Sequence, residues 1–528
     1  PTGKNSSFIL SARRSYLQFL FEALKLPFLP TYNDFQYKHF FEIDEKNQLV
    51  ITGIGAIDNF ELNENVNDGE TDKETIDRNN YILGNLPVQE QWNYAIGANW
   101  KHFSKNSFQN VVISRNHLNN TAEKYKDNIE VPENLQLDYE SEEIETKLRV
   151  ESTKKKNGWT WNIGGGLQDV IYKNSTFREQ VVNGEVTLVN FDSEFNIQKF
   201  ELFTQVSRAF VNDRLTLSFG IRSDANNYSE EMSNMLDQLS PRFSASYQLT
   251  VKFAASFNVG RYYQLPAYTV MGFRDNDGNL VNKENEITYI QSDHIVGGLE
   301  YNPTKFSKIT VEGFYKKYDN YPFLLNDSIS LANLGGDFGV IGNEPAESTS
   351  EGRSYGFEVF LQQKLSSSIY GLVSYTFVRS EFQDKNGEFV PSSWDNRHIL
   401  NVTAGKKFNK DWELGIRFRY LGGAPYTPDD VELSMRKEIW DVSGIGIPDY
   451  DLLNTERNSI AHGLDVRIDK RWFFKKWSLN AYLDIQNIYN YESVGKPFLD
   501  VVRDENGDPV TDPNNLDSYL PREFENTA

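Results

Sequence analysis

The sequence predicts an all-β protein, a transmembrane antiparallel β-barrel with about 19 strands present of an expected 22. Three observations predict this fold. Apolar and polar residues alternate along many segments, those segments are long, and the links between them are alternately short and long. A tilted strand needs roughly 9–11 residues to cross a bilayer, and many of these segments meet that length.

The composition excludes several other classes of protein. The 528 residues carry 54 Lys and Arg against 75 Asp and Glu, and the net charge of −21 opposes binding of nucleic acid. The absence of cysteine excludes disulfides and thiolate chemistry, and the 14% aromatic content argues against disorder. No apolar stretch reaches the length of about 18 residues expected of a transmembrane helix.

The alternation identifies individual strands and their two faces. In Trp412–Tyr420, aromatic and aliphatic side chains occupy every second position and share one face. The same period of two occurs in Leu215–Arg222, His462–Asp469 and Trp477–Gln486. Each of these segments is therefore a strand with one apolar face and one polar face.

The links divide into two classes by length. The short turns are Asp44–Asn47, Ser104–Ser107, Lys155–Gly158, Asn212–Asp213, Leu249–Val251, Asn302–Ser307, Ser366–Ser368, Asn409–Asp411 and Phe474–Lys476. The long links are Asn63–Glu90, Lys126–Glu133, Phe177–Ser193, Glu230–Asp237, Pro266–Ser292, Pro322–Ser350, Gln383–Ser393 and Tyr426–Leu453. Short periplasmic turns and long extracellular loops are typical of outer-membrane barrels. Aromatic residues such as Trp100, Trp161, Trp412 and Trp477 flank the short turns, as expected of an interfacial girdle.

The number of strands indicates a barrel that continues beyond this sequence. The first predicted strand, Ser6–Leu17, and the last, Trp477–Tyr491, both lead into long links and so run in the same direction. A closed antiparallel barrel needs an even number of strands, because an open edge in lipid leaves backbone groups unpaired. At least one further strand is expected, and Asp504–Ala528 is interpreted as the loop that precedes it.

Several segments resemble TonB-dependent outer-membrane receptors, especially the Bacteroidetes type. They are Ser6–Leu17, Phe253–Pro266, Glu351–Leu365, Trp394–Phe408, Arg419–Pro428 and Leu483–Asn490. The resemblance implies a 22-stranded barrel in the outer membrane of a Gram-negative bacterium. It also implies that residues 1–528 form the barrel alone, without the plug domain, the TonB box, the first two strands and the last strand.

The function that this resemblance implies is uptake of a scarce solute by TonB-coupled active transport. The expected partners are the lipid and lipopolysaccharide of the outer membrane, a TonB-type energy transducer, a small solute and an accessory surface lipoprotein. The first alternative is a passive, porin-like channel, and a third possibility, from another class, is a surface enzyme or assembly barrel. Ferric siderophore, cobalamin, glycan and peptide all remain open as the ligand.

Two sets of candidate site residues follow from the strand faces and the loops. Polar-face charges that are expected to line the lumen and contact a plug are Glu413, Arg417, Arg419, Asp465, Arg467, Asp469 and Asp484. Candidate ligand-binding residues on the long-link side are Tyr262, Tyr263, Trp394, Arg397, Tyr426, Trp440 and Tyr450, with Arg261 as the weakest member. Aromatic faces and cationic donors of this kind suit an oxygen-rich ligand.

No motif predicts an enzyme, a cofactor or a metal site. Gly352–Gly356 matches G-x-S-x-G, but an alternating strand follows it where a helix is required. Gly164–Gly166 lacks the Lys-Ser/Thr of a phosphate loop, and we interpret it as strand glycine at a bend or a close approach. No two of the six histidines have the spacing of metal ligands.

Overall fold

A computed structural model describes residues 3, 5–335, 343–505 and 507–526 of the chain. Its dominant feature is one antiparallel sheet of 21 strands. Two of these, β14 and β17, are short strands added beside β13 and β16, which leaves 19 in a continuous up-and-down meander. The predicted all-β antiparallel architecture is confirmed.

The strands of the described residues have the following bounds: β1 (Ser6–Arg14), β2 (Phe28–Asp44), β3 (Asn47–Leu62), β4 (Val88–Ser104), β5 (Ser107–Tyr125), β6 (Leu135–Lys156), β7 (Trp159–Val182), β8 (Glu185–Phe210), β9 (Leu215–Asn226), β10 (Leu239–Gln248), β11 (Phe253–Gln264), β12 (Ile290–Thr304), β13 (Ser307–Leu324), β14 (Ile329–Ser330), β15 (Ala346–Ser366), β16 (Ile369–Gln383), β17 (Phe389–Pro391), β18 (Arg397–Phe408), β19 (Trp412–Leu421), β20 (Pro425–Tyr426), β21 (Glu456–Arg457), β22 (Ala461–Phe473), β23 (Ser478–Ile485), β24 (Phe498–Val501), β25 (Thr511–Asp512), β26 (Asn515–Tyr519) and β27 (Pro521–Phe524).

The helices are short and lie in the links. They are α1 (Leu17–Ala23), α2 (Lys73–Asn85), α3 (Glu230–Ser233), α4 (Tyr268–Met271), α5 (Val281–Glu284), α6 (Leu331–Leu334), α7 (Val431–Ser434) and α8 (Lys437–Ser443). In the part of the chain that the structure describes, four 3₁₀ turns cover Lys126–Asn128, Pro132–Asn134, Asn409–Asp411 and Tyr450–Leu452. Within the described part of the chain, no helix combines the length and the apolar character that a membrane span requires.

Each strand of the meander pairs with its neighbours in chain order, and β1 and β23 form the two edges of the sheet among the described residues. The nine predicted short turns all connect adjacent strands. One of them, at Asn157–Gly158, has positive φ at both residues (51° and 78°), the conformation that an Asn-Gly hairpin turn favours.

One predicted long link is wrong. The segment Phe177–Ser193 is not a loop, because β7 and β8 continue through it as a paired hairpin of 24 and 26 residues. The hairpin closes at Asn183–Gly184, where φ is 52° and 77°, the geometry of a two-residue Asn-Gly turn. Only part of these strands is needed to cross a bilayer, so the hairpin extends well beyond the sheet's short strands.

Three other predicted boundaries shift. The first strand ends at Arg14 and α1 begins at Leu17, so Ser6–Leu17 is not all strand. The last strand ends at Ile485 rather than at Tyr491. The link predicted at Pro322–Ser350 is shorter, because β13 runs to Leu324 and β15 starts at Ala346, and its residues 336–342 lie outside the described residues.

The long links are packed structures. A cluster of fully buried side chains, including Val270, Met271 and Ile287 of the β11–β12 link, packs against Val170 of β7 and Ile197 of β8. A second cluster joins α8 to the segment after β23 through buried apolar side chains. The links therefore fold over one end of the sheet, and apolar burial fixes their positions.

Register divides the sheet into two continuous faces. Val170 pairs with Ile197, and following the pairing from strand to strand places both on one face with Arg222, Gly260, Ser354, Arg417 and Asp465. We call this the inner face, because the loop core packs against it. The outer face carries exposed apolar side chains such as Ile113, Leu202, Phe219 and Leu299.

Candidate functional site: the inner face and the loops above it

The predicted lumen charges lie together. Glu413, Arg417 and Arg419 of β19, Asp465, Arg467 and Asp469 of β22, and Asp484 of β23 all occupy the inner face. Cross-strand pairing sets Glu413 opposite Asp469, Arg417 opposite Asp465, and Arg467 opposite Asp484. The structure thus assembles all seven on three adjacent strands. Whether they contact a plug stays a prediction.

Most of this group is already engaged in pairs. Arg467 donates two hydrogen bonds to Asp469, at 2.8 and 2.9 Å, and its guanidinium lies 3.9 Å from the centre of the Tyr482 ring. Arg419 donates to Asp465 at 3.3 Å. The carboxylate of Glu413 accepts from the Tyr370 hydroxyl at 2.7 Å. The result is a wall of mixed charge, with four carboxylates and three arginines, that can exchange hydrogen bonds with a polar surface.

A second inner-face cluster was not predicted. On β6, β8 and β9, Glu201 is buried between Arg149, at 3.1 Å, and Arg222, at 2.6 Å. Arg222 also donates to Asp224 at 2.6 and 2.8 Å. Each of these residues is a charge on one face of its own strand, but only the pairing of β6 with β7, β7 with β8 and β8 with β9 brings them together.

A loop residue lines the same cavity as this second cluster. Tyr268, in α4 of the β11–β12 link, donates to Glu145 at 2.6 Å, and Lys199 lies within 2.7 Å of the same hydroxyl. A cavity of about 460 Å³ lies here, and Lys199, Arg222, Tyr263 and Tyr268 are among its lining residues. Cations, carboxylates and phenol hydroxyls thus surround a space large enough for a small polar solute.

The predicted ligand-binding residues of β11 point in different directions. Tyr262 lies on the inner face, next to His294 at 4.6 Å between ring centres, with the Arg242 guanidinium 4.4 Å from its ring. Tyr263 packs against the loop core and hydrogen-bonds to Gln291 at 3.2 Å. Arg261 lies on the outer face in a bidentate pair with Asp293, at 2.7 and 2.8 Å.

The remaining candidate ligand-binding residues, which lie in the loops, differ in how far their side chains are exposed to solvent. Trp394 is 62% exposed, whereas Trp440 is only 4% exposed within the cluster that joins α8 to the last segment. Tyr450 packs against the loop core and donates to Asp327 at 3.3 Å. Tyr426 is half-buried in the short β20–β21 pair. The structure does not gather these residues into one pocket, and their ligand role stays a prediction.

Arg397 belongs to a buried ionic clamp. Its neighbour Asp395 is fully buried and accepts from Arg379 at 3.0 Å, from Arg457, and from the Ser380 backbone N–H at 2.9 Å. Arg397 itself lies 3.6 Å from the same carboxylate. Because Arg457 comes from the β19–β22 link, this clamp ties that link to the β16–β18 link.

The loops meet across the end of the sheet. Arg436 at the start of α8 donates to the carbonyl of Gly184 at the tip of the β7–β8 hairpin, at 3.4 Å. Gln136 of β6 donates to the Val442 carbonyl in α8 at 3.0 Å. The β19–β22 link therefore rests on strands that are distant from it in the meander, so the loops partly cover the space above the inner face.

One buried acidic pair lies in these loops. Burial and the nearby Asp327 carboxylate raise the pKa of Glu344 to about 8. Burial also raises the pKa of Asp327. Arg178 of the β7–β8 hairpin and Tyr450 are their charged and polar neighbours. Protonation of these carboxyls is thus coupled to loop packing. Among the described residues, no group of three or more His, Cys, Asp or Glu side chains is arranged to hold a metal ion.

Comparison with known proteins gives one family and many solved structures. The family model described as TonB dependent receptor-like, beta-barrel matches residues 28–488, which is most of the chain. No curated protein matches the sequence.

Three solved structures illustrate the likeness. The ferripyoverdine receptor of the outer membrane of Pseudomonas aeruginosa, bound to ferripyoverdine, is 12% identical with a TM-score of 0.60, over 88% of this chain and 62% of that one. The copper transporter OprC is 10% identical with a TM-score of 0.64, over 99% and 75%. The ferric-catecholate import receptor Fiu from K12 E. coli is 10% identical with a TM-score of 0.63, over 99% and 77%.

At these identities the structural likeness shows the fold alone. This chain also spans only part of the receptors that it resembles. It covers 66% of the chain in the FpvAI–pyocin S2 complex and 62% of the chain in each of two receptor structures with bound pyoverdine.

Proposed function

The chain belongs to the TonB-dependent receptor family, as its β-barrel part, and from that premise we propose that it takes up a scarce solute across the outer membrane by TonB-coupled active transport. The observation that carries the proposal is the family match, which covers nearly the whole meander. The charged inner face supports it, because a polar wall suits a solute path and a plug. The mechanism involves binding and displacement and no chemical step, so the protein is not an enzyme.

The proposed orientation follows from the two classes of link. The short turns face the periplasm and the packed long links face the exterior, as in outer-membrane barrels generally. Exposed aromatic side chains beside the short turns, such as Trp161, Trp412 and Trp477, support this arrangement as an interfacial girdle. The outer face then contacts lipid and lipopolysaccharide.

The two edges of the sheet support closure by further strands. β1 and β23 each lead into a long link, so they run in the same direction, and an odd number of strands is needed to join them antiparallel. Three additional strands would complete a barrel of about 22, an even number as bacterial barrels require. In this proposal a plug occupies the lumen against the inner-face charges, and a TonB box ahead of the plug binds the energy transducer.

The ligand enters through the loops. Tyr262, Trp394 and the residues around the 460 Å³ cavity are the first candidates to meet it, because they combine access with hydrogen-bonding groups. The structural neighbours are described as receptors of ferric chelates and as a copper transporter, so ferric and copper complexes form the first panel of solutes to test. An accessory surface lipoprotein is a further candidate partner.

The test is energy-dependent uptake in cells that carry the full-length protein. Radiolabelled solutes from this panel should accumulate in cells with an intact transducer and should only bind at the surface when the transducer gene is deleted. A protonophore should produce the same loss as the deletion. Uptake that continues unchanged without the transducer would contradict the proposal and support the passive channel.

A further inference from the structure

Three consecutive glycines in β7 serve two different faces. Gly164 and Gly166 point to the inner face, where an added Cβ would lie 2.5 Å from the Phe203 ring and 2.7 Å from Glu201 Oε1. Their absent side chains therefore make room for the Arg149–Glu201 cluster. Gly165 is the only one of the three on the outer face, where none of these inner-face residues needs the space.

Gly165 leaves a gap in a wall of large apolar side chains. Cross-strand pairing places Val150 on one side of it and Leu202 on the other. Along β7 itself, Ile163 and Leu167 stand below and above it on the same face. The backbone of Gly165 is thus the floor of a depression ringed by four aliphatic side chains.

The depression is a groove of about 640 Å³. Its walls include Leu148, Val150, Leu167, Phe200 and Leu202, and Met235 of the β9–β10 link contributes to it. A second depression of about 290 Å³ shares Leu148, Leu167 and Phe200 with the first and therefore continues it along the sheet. An elongated apolar groove on an exposed face suits a thin, flexible hydrocarbon chain.

The residues above and below the groove on the outer face show that it lies within the apolar band, the zone of the barrel that faces the hydrocarbon core of the membrane. Two residues above Leu167, a polar row of Arg115, Thr146, Asp169 and Gln198 crosses four strands, with Arg115 donating to Thr146 at 3.0 Å. Four residues below Gly165, Trp161 is exposed on the same face, near the short turn. Eight residues of tilted strand span roughly 20 Å, close to the height of the apolar band of an outer-membrane barrel.

We propose that this groove binds one acyl chain of a lipid in the leaflet on the long-loop side. The inference rests on the proposed membrane placement. The groove starts near the middle of the apolar band and reaches the polar row on the long-loop side, which matches a chain that hangs from a headgroup in that leaflet. A second copy of the protein would gain little there, because apolar surfaces in lipid have no hydrophobic drive to associate. A slender chain, by contrast, fills the space with dispersion contacts.

The test is retention of lipid by the purified full-length protein, measured by native mass spectrometry. The probe is dimyristoyl phosphatidylcholine, added to delipidated protein in detergent. Wild type should retain one lipid, and Gly165→Leu should retain roughly five-fold less at the same lipid concentration, equivalent to about 1 kcal/mol. Gly297→Leu is the matched control, because Gly297 is also an outer-face strand glycine but its Cβ would have no atom closer than Ser256 O at 4.0 Å.

A second variant distinguishes a filled groove from a misfolded protein as the cause of lost lipid binding. An added Cβ at Gly165 would lie 2.9 Å from the Glu201 carbonyl oxygen, so Gly165→Leu carries some strain. Leu148→Trp fills the groove from β6 without that contact, and Leu299→Trp on the outer face of β12 is its control. The gel mobility shift of a folded barrel on heating confirms folding of each variant.

Each outcome has one meaning. Equal lipid retention by wild type and both groove variants would overturn the inference, as would retention of detergent only or a dimer that Gly165→Leu dissociates. Failure of energy-coupled uptake with normal lipid retention would refute the proposed transport and leave the groove intact. Absence of a heat-modifiable barrel would refute the membrane placement itself.

Discussion

The assignment of the two faces can be tested by placing the same charge on adjacent residues of one strand. Val311 and Thr310 of β13 are nearly equal in shape and lie side by side in the middle of the sheet. Val311 is exposed on the outer face, where it pairs with Leu299 and Val359. Thr310 faces inward and pairs with Glu300. An arginine at each position therefore differs only in the face that receives it.

The expected loss of folding free energy depends on how deep each substituted residue lies in the apolar band. Val311 is four residues above the short turn at Ser307, roughly 13 Å along the strand, and six below the polar pair of Lys317 and Asp319. It is thus close to the middle of the apolar band, where an arginine on the lipid face costs about 2–4 kcal/mol. Thr310→Arg should cost less than about 1 kcal/mol, because its guanidinium enters a polar lumen beside the Glu300 carboxylate.

The assay is reversible unfolding in urea of the full-length protein in lipid vesicles, followed by tryptophan fluorescence and by gel mobility. Val311→Arg should lower the free energy of unfolding by the larger amount and Thr310→Arg by the smaller one. Val311→Thr is the control for the loss of apolar surface without charge. Equal costs for the two arginines, or a larger cost at Thr310, would refute the face assignment.

Three further predictions concern the loops and the short turns. The chain has no cysteine, so single cysteines provide clean labels: on intact cells a membrane-impermeant maleimide should label Asp68→Cys in the β3–β4 link and should not label Lys155→Cys at the β6–β7 turn. Asp395→Asn should destabilise the loops by about 3 kcal/mol, because it removes the buried carboxylate that pairs with the half-buried Arg379 and Arg457, and should speed proteolysis far more than Trp394→Ala at an exposed site. Because the pKa of Glu344 is raised to about 8 in the folded loops, their stability should fall as pH rises from about 4.5 through 8, and Glu344→Gln should reduce this slope in hydrogen exchange.

The strands near the short turns were predictable because one face of each contacts an apolar medium. The segments Trp412–Tyr420 and His462–Asp469 alternate strictly, and the structure places them in β19 and β22 with six of the seven predicted charges on one face. The seventh, Asp484, lies on the same face of β23. The number of strands in the meander was predictable for the same reason. Each strand that crosses the apolar medium produces one alternating segment in the sequence, whatever the length of the link that follows it.

The β7–β8 hairpin was missed because alternation disappears where a strand leaves the apolar band. Beyond Asp169 both faces of β7 are polar or loop-covered, and the apolar residues of Phe177–Ser193 fall on both faces, so they do not show the period of two that marks a membrane strand. The decisive local signal was Asn183–Gly184, a two-residue turn flanked by Val181, Val182 and Val186. The inner cluster around Glu201 was missed for a related reason, because β6 carries charges on both faces near its upper end and a single strand does not show which of them meet.

The ligand candidates were the least predictable part because side-chain type does not determine burial. Trp440 and Trp394 have the same chemistry and both follow strands into long links. Yet Trp440 is buried by Met435, Leu499 and Val501, of which two come from a segment about 60 residues further along the chain. Only the fold of the links brings that segment to α8. An aromatic residue in a loop therefore indicates ligand contact only when its own loop leaves it exposed, which favours Trp394 over Trp440.

The two inner-face clusters suggest how the wall can guide a charged solute without holding it. In both clusters most of the arginines are paired with nearby carboxylates, as in Arg467 with Asp469 and Arg222 with Glu201 and Asp224. A passing anion must compete with these carboxylates, and a passing cation with the arginines, so neither sign of charge is bound tightly. In the proposed transport, selectivity would then come from the packed loops and from the proposed plug. Selectivity in the loops and the plug favours the proposed gated receptor, because a passive channel would place its selectivity on the inner wall of the barrel.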